Sequence, residues 1–307
     1  MNRIISFLVF YLFLCGSVYS QGIVLTDKKQ TYFDEDTLLK HLQSLSSDAF
    51  EGRRTGSKGT IKAQKYIVNQ FHSLEVLPLI EDYVQPFFFM HKKNAYNGAN
   101  ILGLIKGSEF LDEYIVISAH YDHEGIKRGK IYNGADDNAS GVSALFSFAE
   151  YFKANPPKHS VILAAFDGEE LGLQGSEFFV NHPVIPLKKI ILNINMDMIS
   201  RSDKKELFVV GASENKRLKY LIENTNHSNS LKLILGHDGY DGLDNWTFAS
   251  DHTNFYKKRI PFLYFGVEDH KDYHEPTDDY ENIDSEFYID AVKTIISVFK
   301  KIDALKI

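Results

Sequence analysis

A three-layer α/β sandwich, with a mixed, largely parallel central sheet flanked by helices, is the fold that this sequence predicts. Three observations lead there. The chain has 307 residues, 44% of them hydrophobic, which is enough for one large core. From residue 100 onward, short runs of β-branched and aliphatic residues alternate with segments of helical apolar spacing, the pattern of a parallel sheet covered on both faces. The strongest of these runs end in polar residues, and strand ends are where such sheets bind ligands.

Taken in order, residues 36–45 read as a short helix and 60–74 as a second, with Ile61, Tyr66, Ile67, Phe71 and Leu74 at helical spacing. The aromatic run 83–90 is expected as a buried or edge strand. Strands follow at 101–105 and 114–119. Residues 140–153 form a helix with Val142, Leu145, Phe146, Ala149 and Phe152 on one face. The remaining strands are expected at 161–166, 190–196, 207–210, 231–235 and 261–265, and the remaining helices at 171–180, 215–224 and 286–302. There is no internal repeat or low-complexity tract.

The first twenty residues stand apart. Arg3 precedes an apolar stretch over 4–14, and Val18-Tyr19-Ser20 follows, which is the pattern of a secretory signal peptide cut after Ser20. The stretch is short for a membrane span, so an uncleaved anchor is the alternative. Residues 21–307 are then a single domain of a secreted or periplasmic protein, with no membrane role beyond the signal peptide. Cys15 is the only cysteine, and the bulky Leu14 before it argues against lipid attachment. The mature chain has no cysteine at all, which excludes disulfides and thiol chemistry and leaves His, Asp and Glu as metal donors. The net charge of −7 and the scattered basic residues, densest at Lys257-Lys258-Arg259, argue against a nucleic-acid partner.

Metal-capable residues cluster at the ends of the predicted strands. Strand 114–119 runs into His120-Tyr121-Asp122-His123-Glu124, strand 161–166 into Asp167-Gly168-Glu169-Glu170, and strand 190–196 into Asp197. Gly134-Ala135-Asp136-Asp137-Asn138-Ala139-Ser140-Gly141 opens a helix, and Tyr273-His274-Glu275-Pro276-Thr277-Asp278 follows the strand ending at Phe265. The strand-end rule places all of these around one cleft. Singly, each has a plain structural explanation: a histidine at a strand end, a helix cap at Asp136-Asp137, an acidic first turn at Glu169-Glu170. Asp197 is harder to explain so, because a carboxylate after the apolar run 190–196 is costly to bury unpaired.

In this combination the motifs resemble the family-28 metallopeptidases, the co-catalytic di-zinc aminopeptidases. Ser250-Asp251-His252 and Glu51-Gly52-Arg53-Arg54-Thr55-Gly56 are also similar, and the likeness covers nearly the whole mature chain in order. The resemblance implies two Zn2+ per chain. His120 and Asp197 would hold one, Glu170 and His274 the other, and Asp137 would bridge them. Glu169 would be the general base, and Asp122 would orient His120. The chemistry agrees: zinc takes imidazole and carboxylate donors, two nearby cations favour a bridging carboxylate, and a ligating histidine wants an acceptor on its other nitrogen. His123, Glu124, Asp251, His252 and Asp278 are given no metal role, and Arg53 and Arg54 are expected in structural ion pairs. The function expected is removal of N-terminal residues from peptides with a free amino end, with the Tyr- and Phe-rich stretch 255–265, Phe262 and Tyr264 within it, as a candidate lining for an apolar side-chain pocket. The alternatives are a single-zinc glutaminyl cyclase and a non-catalytic binding protein on the same scaffold.

Overall fold

The most apolar runs of the sequence pair side by side at the centre of the sheet. The computed structural model describes residues 32–305, apart from 214, 226, 227, 229 and 240. The expected signal peptide lies outside the described residues. The strands are β1 (Leu77–Pro78), β2 (Val84–His91), β3 (Asn94–Ile105), β4 (Phe110–His120), β5 (Gly125–Lys127), β6 (Lys130–Tyr132), β7 (His159–Phe166), β8 (Ile190–Met196), β9 (Glu206–Val210), β10 (Lys232–Leu235) and β11 (Phe262–Gly266). The α-helices are α1 (Glu35–Leu45), α2 (Lys58–Ser73), α3 (Gly141–Ala154), α4 (Gln174–Asn181), α5 (Lys216–Glu223), α6 (His252–Lys257) and α7 (Ser285–Asp303).

Among the described residues nine strands form one sheet, in the order β1-β3-β7-β4-β8-β11-β9-β10, with β2 paired to β3. Strands β7, β4, β8 and β11 are mutually parallel. Antiparallel partners flank this centre: β3 beside β7, and β9 beside β11. Strand β7 is buried at every position, as a central parallel strand should be. Alternate residues of the same strands face two cores. On one face Ile115, Ile117, Leu163, Ile194 and Phe265 pack against Leu42 of α1, Phe71 of α2, Phe146 of α3, Leu218 of α5 and Phe299 of α7. On the other, Val116, Ile162, Ala164 and Phe166 pack against Phe179 of α4 and Phe255 of α6. That is the three-layer arrangement expected.

Local chemistry starts the helices. Asp34 accepts from the backbone N–H of Thr37 to cap α1, and Asp284 from that of Phe287 to cap α7. Among the described residues no helix is long and apolar enough to cross a membrane.

The aromatic run is an edge strand: β2 pairs only with β3 and turns Phe88 (62% exposed) and Met90 (58%) to solvent. Several features differ from the expectation or lie outside it. Strand β3 begins at Asn94 rather than 101, because its polar first half pairs with β2. Helix α4 starts at Gln174, because residues 169–173 form a turn with Gly172 N–H and Leu173 N–H bonded to Glu169 O. Strand β9 runs antiparallel to β11, a direction that apolar spacing does not encode. Helix α6 has only six residues, too few to show a period.

Candidate metal centre

Four adjacent parallel strands deliver the site. His120 ends β4, Asp167 to Glu170 follow β7, Asp197 follows β8, and the segment after β11 carries His270, His274 and Asp278. Asp137 arrives from the turn between β6 and α3. That turn needs Gly134, whose φ is +58° and where a Cβ would lie 2.1 Å from Asp137 O and 2.6 Å from the His123 ring. Asn138 Nδ2 donates to Met196 O at 2.9 Å, tying the turn to the end of β8.

The carboxylate of Asp137 lies between two groups of donors. Its Oδ1 is 3.2 Å from His120 Nε2, which is itself 3.1 Å from Asp197 Oδ1. Its Oδ2 is 3.1 Å from His274 Nε2, which is 3.4 Å from Glu170 Oε2. All five expected donors therefore meet. His120, Asp137 and Asp197 are buried, and the side chain of Glu170 is 5% exposed. His123 also enters the cluster, with Nδ1 2.8 Å from Glu170 Oε1 and 3.6 Å from Asp137 Oδ2.

Asp122 acts differently from expectation in detail. His120 Nδ1 donates to the Asp122 backbone carbonyl at 3.1 Å, while the Asp122 carboxylate is 3.8 Å away. That carboxylate instead accepts from the backbone N–H groups of Glu169 (3.1 Å) and Glu170 (3.4 Å), and so fixes the turn that presents both glutamates. Thr55 Oγ1 lies 3.1 Å from Asp122 and 2.8 Å from Asp167, linking two buried carboxylates.

Asp136 is not a helix cap. Its Oδ1 accepts from Ser200 N–H (2.6 Å) and Ser200 Oγ (2.8 Å), and its Oδ2 lies 3.0 Å from His270 Nε2. Asp278 accepts the backbone N–H groups of Asp136 (2.9 Å) and Asp137 (3.0 Å). Arg53 forms no carboxylate pair; its guanidinium is spent on the carbonyls of Leu45, Tyr121, Asn133 and Gly134. Arg54 does pair, with Glu124 at 3.3 Å. Sequence reading missed Ser200, His270 and Trp246, and gave Thr55 no role although it stands in the family-like segment 51–56. Of the first three only His270 left a signal, as a second histidine four residues before His274.

The electrostatics call for cations. Burial works to raise Asp137, but His123, His120 and His274 hold it well below the usual carboxylate range. Glu170 is likewise pulled down to about 2 against burial and Asp137, chiefly by His123 and His274. Burial would depress His120, yet Asp197 and Glu169 beside it push it well up. His274, opposed by burial, rises to about 11 through Asp137 and Glu170. Protons on these imidazoles occupy the lone pairs that a metal would use. Burial raises Glu169 well above the ordinary glutamate value, with His120 offsetting part of it and Asp197 and Asp251 adding to it. Such a carboxylate is a stronger base than a solvated one. Crowded buried carboxylates, imidazole donors and the orphaned Glu170 Oε1 fit divalent cation binding.

Asp137, Glu169, Asp197 and His274 line a cavity of about 100 Å3 together with Trp246, Tyr264 and Asp269. Phe262 is not there: it lines a separate and larger cavity, about 610 Å3, that contains none of the five clustered donors. Chemistry rather than size locates the site.

Fold and donors together define a three-layer α/β protein built around a buried cluster of metal-capable groups at its strand ends. A family model described as peptidase family M28 matches residues 100–299, and the chain belongs to that family. It is 30% identical to the aminopeptidase YwaD of Bacillus subtilis over 196 residues, 61% of this chain and 41% of that protein. It is 27% identical to the alkaline phosphatase isozyme conversion protein of Escherichia coli, over 50% of this chain and 49% of that one. The chain thus spans about half the length, or less, of these curated relatives. Among solved structures a zinc aminopeptidase from Bacillus subtilis superposes with a TM-score of 0.70 at 18% identity, covering 88% of this chain and 95% of that one. A glutaminyl cyclase from Fimbriiglobus ruber does so equally, with a TM-score of 0.70 at 18% identity, covering 91% and 98%.

Proposed function

We propose that this chain is a zinc-dependent aminopeptidase that hydrolyses N-terminal residues from peptides and holds two zinc ions. One observation carries the reading: the two oxygens of Asp137 face separate donor groups, His120 with Asp197 on one side and Glu170 with His274 on the other. That is the arrangement a bridging carboxylate requires. When bound there, zinc would supply Lewis acidity and bring the pKa of a water to about 7. Glu169, beside the cluster but outside these donor contacts, is placed to take a proton from the attacking water as its oxygen adds to the scissile carbonyl carbon. It then passes the proton to the departing amine as the C–N bond breaks. Asp122 holds the Glu169 backbone, so the base is positioned before substrate arrives. The acidic lining by Glu169, Asp197 and Asp269 suits a substrate ammonium, and Trp246 and Tyr264 suit an apolar side chain.

The test is Glu169→Gln. Zinc content should stay at two per chain while release of amino acid from N-terminally free peptides falls by about 10²–10⁴-fold; near-normal turnover would refute the assignment. The likeness to a glutaminyl cyclase keeps a second reading in view. One zinc per chain, with ring closure and ammonia release from N-terminal glutamine and no peptide cleavage, would establish it instead. Retention of every donor and of Glu169 speaks against a purely binding role.

A further inference from the structure

His123 is fully buried, and neither of its ring nitrogens has a hydrogen-bond partner. An imidazole placed so is expensive, because both nitrogens have left water for nothing. Yet it is not idle in geometry. Nδ1 sits 2.8 Å from Glu170 Oε1 and 3.6 Å from Asp137 Oδ2, and its ring centroid is 5.9 Å from that of His274. The short approach to Glu170 is not a hydrogen bond, since Glu170 Oε1 is itself without a partner. An imidazole nitrogen and a carboxylate oxygen that converge without a shared hydrogen-bond geometry are arranged as two donors to a third atom. Gly134 makes room for the ring: a Cβ there would meet it at 2.6 Å.

We propose that His123 Nδ1 is a further metal ligand, completing the half of the centre held by Glu170, His274 and one oxygen of Asp137. The proposal rests on the metallopeptidase reading above. It makes the two halves unequal. The His123 half has four protein donors, two of them imidazoles, which is the complement of a closed zinc site. The His120 half has three, with one imidazole and two carboxylates, and keeps a position open. Imidazole favours zinc, whereas carboxylate-rich sites accept manganese or magnesium more readily. Loading should therefore be stepwise, with the first zinc going to the His123 half.

Two measurements test this. In a crystal of the zinc-loaded protein, with zinc placed by anomalous scattering, Nδ1 should lie about 2.0–2.1 Å from a zinc ion. A separation beyond 3 Å overturns the proposal. Chelator-competition titration of wild type and His123→Ala should show the tighter zinc dissociation constant weakened by more than the 10–100-fold typical of losing an outer partner, with the weaker constant unchanged. A smaller loss, or equal weakening of both constants, overturns it. If the variant does not fold, the wild-type crystal decides alone. Wild-type protein that holds no zinc would sink the metallopeptidase reading, and this proposal with it, whereas two zincs with His123 distant would remove only this one.

Discussion

Replacing Arg53 with methionine should lower the melting temperature by about 6 °C or more. Arg53 is 1% exposed, and its guanidinium donates to Leu45 O (2.7 Å), Tyr121 O (2.8 Å), Asn133 O (2.6 Å) and Gly134 O (2.9 Å). Those carbonyls belong to the end of α1, the segment after β4 and the approach to the Asp137 turn. One side chain thus joins three parts of the chain next to the site. Burial draws its pKa down to about 10, while Asp137, Asp278, Asp122 and Glu170 act to keep it charged. Without it, Gly134 O keeps the Ala139 N–H at 3.1 Å. The other three carbonyls lose a charged donor at about 1–3 kcal/mol each, giving about 3–9 kcal/mol. That is a large share of the 5–15 kcal/mol that holds a typical domain together. At about 2–4 °C per kcal/mol for a domain of this size, the drop should be plain in a circular-dichroism melt. The melt is run on zinc-free protein, so that metal binding does not add to the difference. Arg53→Lys keeps the charge but lacks the planar fork, so it should fall between the two and carry the test if the methionine variant cannot be purified. A methionine variant that melts within about 2 °C of wild type would refute the argument.

Two further outcomes follow from contacts around the cluster. Asp278→Asn halves the acceptor capacity facing the Asp136 and Asp137 N–H groups (2.9 and 3.0 Å). Zinc affinity should weaken by about 10–100-fold with the fold intact; titration showing unchanged affinity would mean the turn holds Asp137 unaided. Trp246, half-buried and stacked on His237 with centroids 3.5 Å apart, walls the small cavity beside Asp197. Trp246→Ala should shift the preferred N-terminal residue toward larger apolar side chains, read as kcat/KM across a panel of aminoacyl amides; an unchanged ranking would place the side-chain pocket elsewhere.

Much of this protein is written locally. Apolar periodicity is a property of neighbouring residues, so the central strands and most helices were legible to within a few residues, and β8 in full. The donors were legible for a related reason. In a parallel sheet the strand ends converge, so polar residues directly after β4, β7 and β8 must approach one another whatever the loops do. The metal role of each residue, Asp137 and His274 included, was reached through family likeness, because convergence at strand ends does not say which of the gathered side chains hold a metal.

Tertiary structure decided the rest, wherever a role depends on residues distant in sequence. His123 and His120 are three residues apart, but only the fold shows one bonded through Nδ1 to a backbone carbonyl and the other without any hydrogen bond. Arg53 looked like half of an ion pair until the carbonyls of residues up to 81 positions away were seen to take four of its five N–H donors. Asp136 and Asp137 are neighbours in the chain with opposite duties, one turned to Ser200 and His270, the other to the cluster. Adjacent side chains diverge from the backbone, and what each then meets is set by segments 14 to 137 residues away. No local pattern in the sequence encodes that.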